Sequence, residues 1–167
     1  MFHPFYDVVV ETSSGQVTKE GMCSLKPRKW VADMVIDMFG IYSTMLKPDL
    51  LYIPSTARHL NPQRDKNLGR NYIKTSYMPT DGVCVKAVFI PIIDNEHWFL
   101  IVCDLEMKTN YILNSLRPKD IRADTELAAE VVTNVFQILC RSKGYKHLVG
   151  VPLAKFSTLI VPQTKSV

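Results

Sequence analysis

The run Trp98 to Leu105, WFLIVCDL, is apolar at every position except Asp104. A segment this short and this apolar, rich in aromatic and β-branched residues, reads as a central strand covered on both faces. Such a strand needs neighbours, and the sequence supplies them. CVKAVFIPI, Cys84 to Ile92, precedes it across Asp94-Asn95-Glu96, and TNYILNSL, Thr109 to Leu116, follows across Glu106-Met107-Lys108. Connections this short suit antiparallel hairpins. A fourth strand-length run, FSTLIVP, covers Phe156 to Pro162, and PFYDVVVE with SSG reads as a strand and turn near the start.

Two helical patterns bracket this strand-rich centre. From Lys29, the residues Trp30, Met34, Met38, Ile41 and Met45 recur on one face, widened by Val31, Val35 and Tyr42, until Lys47-Pro48 ends the run. A second helix is expected from Thr125 to about Ser142, with Asp124 as N-cap and Gly144 beyond its end. Its apolar face is Leu127, Val131, Val135 and Ile138, with Val132, Phe136 and Leu139 alongside. The stretch from Tyr52 to Pro79 is polar and irregular, and reads as a loop or insertion. Helices outside and strands between make an α+β domain.

Composition narrows the function. At 167 residues, 47% hydrophobic and 22% charged, the chain fits one globular domain and excludes fibrous, coiled-coil and disordered classes. The net charge of +4 is spread out, with only a loose basic stretch from Arg58 to Lys74, so nucleic acid is permitted but not indicated. Cys23, Cys84, Cys103 and Cys140 form no CxxC pair and no His-flanked zinc pattern, so no metal is expected. Cys84, Cys103 and Cys140 lie in apolar runs, which fits a reducing intracellular compartment, nucleus or cytoplasm. The opening MFHPFYDVVVETSSGQ has no signal-peptide pattern, and no apolar run reaches the roughly 18–20 residues that cross a bilayer.

His97 enters the central strand and Asn114 closes the next one. In a hairpin, the start of one strand lies beside the end of the other, so the two would meet at one edge of the sheet. An Asn oxygen accepting from a ring N–H holds an imidazole as a general base, and such a pair suits a cysteine or serine hydrolase. The same residues also fit a surface histidine after a turn and an Asn ending a strand. Trp30 reads as core on pattern, while Trp98 is open to either use.

The longer strings carry more information. KWVADMVI, Lys29 to Ile36, resembles the W-L-x-D-x-x-I opening of the ubiquitin-like-protein-specific cysteine proteases, the SUMO-protease family. VFIPIIDNEHWFLIVCDLEMKTNYILNSL resembles that family's core: a strand ending in Ile-Pro-Ile, then His-Trp-x-Leu, Asp-Leu and Asp-Ser-Leu in order. The resemblance implies a papain-like cysteine protease fold over residues 25–167, with 1–24 as a lead-in. It implies that His97 is the general base and that Asn114, standing where the family usually has Asp, orients it. Gln163 in VPQ would donate to the oxyanion hole. Trp30 and Trp98 would wall a narrow tunnel for the Gly-Gly tail of a ubiquitin-like modifier, the implied partner of a monomeric enzyme that needs no metal or organic cofactor. The family's nucleophile, in an Asp-Cys-Gly motif six positions after that glutamine, would be residue 169, beyond Val167. The expectation is a partial, inactive peptidase domain, or alternatively a non-catalytic module that holds a modifier without cutting it.

Overall fold

The computed structural model describes residues 7–12, 15–59, 84–94, 97–114, 121–140 and 153–161. Strands β1 (Val8–Thr12) and β2 (Gly15–Thr18) form an antiparallel ribbon, as the lead-in pattern suggests. Helix α1 (Lys19–Cys23) follows, its first turn capped by Thr18, whose Oγ1 accepts from the Gly21 N–H at 3.1 Å. No apolar period marks so short a helix, and the sequence reading passes over it.

Helix α2 spans Asp33–Leu46, and Asp33 Oδ1 accepts from the Met34 N–H at 2.7 Å in its first turn. It buries Gly40, Ile41 and Thr44 rather than the wide stripe expected. Tyr42 and Met45 are exposed, and Trp30 precedes the helix at 62% exposure. The correction has a physical cause. Among the described residues the helix packs closely where Ile41 meets Tyr52 and the half-buried Met38 and Phe89, so a thin strip of its surface is covered.

The main sheet runs β3 (Leu50–Tyr52), β4 (Ala87–Asp94), β5 (His97–Asp104), β6 (Thr109–Asn114) and β7 (Ser157–Val161), in that order. The two hairpins β4–β5 and β5–β6 are antiparallel, as expected, while β3 and β7 join as parallel edges. The first hairpin strand starts at Ala87, so Cys84 to Lys86 lie outside it. Between β3 and β4 the chain makes a 3-10 turn, Ser55–His59, and the rest of the expected middle loop lies outside the described residues.

Helix α3 (Ile121–Leu139) covers one face of the sheet. Its expected stripe is the observed one: Val131, Val132, Val135, Phe136, Ile138 and Leu139 pack on Val88, Ile90, Ile92, Ile101 and Ile112. The last five are fully buried, and each contributes about 1.5–3 kcal/mol of burial free energy. The helix starts four residues before Thr125, so Asp124 lies within it and is not its cap. Its opening turn is polar and is held by Arg122 Nε donating to Glu126 Oε1 at 2.8 Å, which the apolar period could not reveal.

On β5, Phe99, Ile101 and Cys103 are buried under α3, whereas Trp98, Leu100 and Val102 are only half-buried. The expectation of equal cover on both faces is therefore half met. Among the described residues, the second face carries α2 and leaves an apolar cavity of about 610 Å³ between helix and sheet, walled by Phe39, Leu46, Phe89, Trp98, Leu100 and Leu113.

Candidate active site

The antiparallel register sets Phe99 of β5 opposite Asn114 of β6. His97 lies two residues earlier, on the same face as Phe99 because side chains alternate along a strand. It therefore reaches diagonally to Asn114, and its Nε2 lies 2.7 Å from Asn114 Oδ1. The carboxamide oxygen can only accept, so the shared proton sits on Nε2. That leaves the Nδ1 lone pair as the ring's basic position. The pairing deduced from strand order is the pairing found.

Four strands converge on this edge. The C-terminal ends of β4, β6 and β7 and the start of β5 meet here, as the registers of Asp94 with His97 and Leu113 with Val161 require, while β3 stops earlier, opposite Phe89. The strand expected from Phe156 ends at Val161, one rung from Asn114. Gln163 lies outside the described residues.

Trp98 points to the opposite face from His97 and lines the apolar cavity. Its Nε1–H donates to the Val31 carbonyl at 3.2 Å, tying the segment before α2 to the head of β5. Trp30 is the residue before that carbonyl, exposed and outside the cavity wall. The two tryptophans are thus linked through the backbone beside His97, with one half-buried and one open.

The four cysteines are placed elsewhere. Cys103 lies six residues along β5 from His97, about 20 Å at the rise of a strand, and burial pushes its thiol up to about 12. Cys84 precedes Ala87, which pairs with Asp104 at the far end of the sheet. Cys140 follows α3, its thiol also raised by burial, and Cys23 closes α1. A thiol must ionise to act as a nucleophile, so the two raised ones are poorly suited to that role.

One pair at this edge escaped sequence reading. Arg58 of the 3-10 turn forms an ion pair with Asp94 and also donates to the Ile93 carbonyl. Arg58 falls inside a stretch that looked like solvated loop, and nothing local marks its partner 36 residues on.

The family model described as the Ulp1 protease family, C-terminal catalytic domain, matches residues 29–152. No curated protein sequence matches the chain. Among solved structures, a SUMO protease Ulp1 with its catalytic cysteine oxidised to a sulfenic acid aligns with a TM-score of 0.69 at 22% identity, covering 96% of this chain and 69% of that one. The C-terminal Ulp1 protease domain in complex with Smt3, the yeast ortholog of SUMO, aligns at 0.66 and 23% identity, covering 90% and 65%. A Ulp1-like SUMO protease catalytic domain of Chaetomium thermophilum aligns at 0.52 and 15%, covering 86% and 58%. The chain shares the fold of these proteins and spans 58–69% of their lengths.

Proposed function

Since the chain belongs to the Ulp1 protease family, matched over that family's C-terminal catalytic domain, we propose that His97 and Asn114 are the general base and its orienting partner in a cysteine peptidase acting after the C-terminal Gly-Gly of a ubiquitin-like modifier. The observation that carries this reading is the 2.7 Å contact between His97 Nε2 and Asn114 Oδ1. With that proton engaged, Nδ1 takes the proton of a cysteine thiol, and the thiolate attacks the carbonyl carbon of the last glycine. The tetrahedral oxyanion collapses as the imidazolium returns the proton to the departing amine. A water then hydrolyses the thioester, with His97 again accepting and returning the proton. Asn114 orients the ring but carries no charge, so the imidazolium has weaker support than an Asp would give.

Gln163 would stabilise the oxyanion, by the family resemblance alone. The thiol would come, by the same resemblance, from a cysteine other than Cys23, Cys84, Cys103 and Cys140. The exposed Phe39, Leu46 and Leu113 around the cavity suit a further apolar element on the Trp98 face of the sheet. Trp98, and Trp30 beside it, would wall the path of the glycine tail, since a flat aromatic surface close to the backbone admits glycine and clashes with larger side chains.

A second reading is favoured by the placement of the four cysteines. The 167 residues alone would hold a modifier without cutting it. Both readings share one requirement, dependence on the glycine tail. In titration calorimetry with a SUMO-type modifier, removal of its last two glycines is expected to weaken binding to the chain at least about tenfold, roughly 1.4 kcal/mol. Equal affinity with and without the glycines would overturn both.

A further inference from the structure

The Arg58–Asp94 pair lies at the same sheet edge as His97, with its side chains 28% and 29% exposed, and so is better shielded than an ordinary surface ion pair. Asp94 ends β4 and is the cross-strand partner of His97 in the last rung of the hairpin. Residues directly opposed across two strands share a face, with Cβ atoms about 4.5–5.5 Å apart. A carboxylate so close to the imidazole competes with Asn114 for the ring and favours its protonated form, which cannot accept a thiol proton.

The turn that delivers Arg58 is itself fixed at its start. Asp37 Oδ1 accepts from the Ser55 N–H at 2.9 Å and the Tyr52 hydroxyl at 2.7 Å, and Oδ2 accepts from the Ser55 hydroxyl at 3.2 Å. Burial raises the Asp37 carboxyl above its ordinary value despite these three donors. Two bonds thus hold Ser55, and Arg58 follows one 3-10 turn later.

We propose that Arg58 is a positioning residue for His97. It engages the Asp94 carboxylate and pins the Ile93 carbonyl, so that the imidazole turns to Asn114 and keeps its basic nitrogen. Among the described residues, the charged groups beside His97 are Asp94 from β4 and Arg58 from the turn, with the uncharged Asn114 from β6. This inference rests on the reading of His97 as a base, but the influence of the pair is measurable without any substrate.

The test is an NMR titration of the His97 ring in the whole chain. In Arg58→Met, the midpoint of the curve is expected to move to higher pH by about half a unit, roughly threefold in the ratio of protonated to neutral ring. Adding Asp94→Asn to that variant is expected to reverse the shift, and Arg58→Lys to show little of it. A loosened turn would not be corrected by removing a second charged group. An Arg58→Met curve superimposed on the parent's, or a shift that survives Asp94→Asn, overturns the proposal. Should Arg58→Met fail to fold, Asp94→Asn alone is expected to move the curve to lower pH, and an unmoved curve overturns the proposal equally. Loss of modifier binding with the shifts intact would sink the peptidase reading and leave the role of Arg58 standing.

Discussion

Gly40→Ala is expected to lower the thermal midpoint of the chain by about 6–12 °C, from a loss of about 3 kcal/mol. A methyl group at Gly40 would fall on the Tyr52 ring, meeting Cδ2, Cε2 and Cζ together. That ring borders the apolar cavity but is tethered at both ends. Tyr52 is 7% exposed, its hydroxyl donates to Asp37, its N–H donates to Thr44 Oγ1 at 3.2 Å, and its backbone pairs with Phe89 of β4. Alanine's better helix propensity recovers only about 1 kcal/mol. Gly21→Ala is the matched control. There the new methyl meets Met34 Sδ at 2.6 Å, the far end of a flexible side chain that can swing away. Circular dichroism melts of the two variants decide the matter, and a Gly40→Ala midpoint within about 2 °C of the parent would contradict the close packing of α2 on β3.

Trp98→Ala is expected to weaken binding of a glycine-ended modifier by about 30-fold or more, the loss of about 2 kcal/mol associated with a buried aromatic anchor. The indole forms a wall of the apolar cavity at the head of β5 and fixes the Val31 carbonyl through Nε1. Two effects are therefore removed at once, and Trp98→Phe separates them. Phenylalanine keeps a flat face but has no N–H for Val31, so an intermediate affinity assigns part of the effect to that tether. Amide spectra of both variants check that the sheet is intact. Binding by Trp98→Ala within about twofold of the parent would remove Trp98 from the tail site.

The strands and the base pair were legible because both depend on local rules. Short polar turns between apolar runs dictated two hairpins, and hairpin geometry alone brought His97 to Asn114 across 17 positions. The register gives no comparable local sign for β3, a three-residue parallel edge strand with a partner more than 30 residues away. Met45 and Tyr42 were misjudged because periodicity reports which face is apolar, not how much of that face is covered. Asp124 was misjudged because the polar first turn of α3 has no apolar period to count from. Arg58 and Asp94 were invisible for a different reason: charged residues in a loop-like stretch look solvated until the fold brings them together.

Peptidase turnover tests the account most directly. A polypeptide in which an Asp-Cys-Gly segment of the family follows Gln163 at its usual spacing would be assayed on a ubiquitin-like modifier extended beyond its Gly-Gly. The account predicts cleavage after the second glycine, with kcat falling about 10²–10⁴-fold in His97→Ala while modifier affinity is kept. Cleavage that proceeds equally well without the His97 imidazole would contradict it.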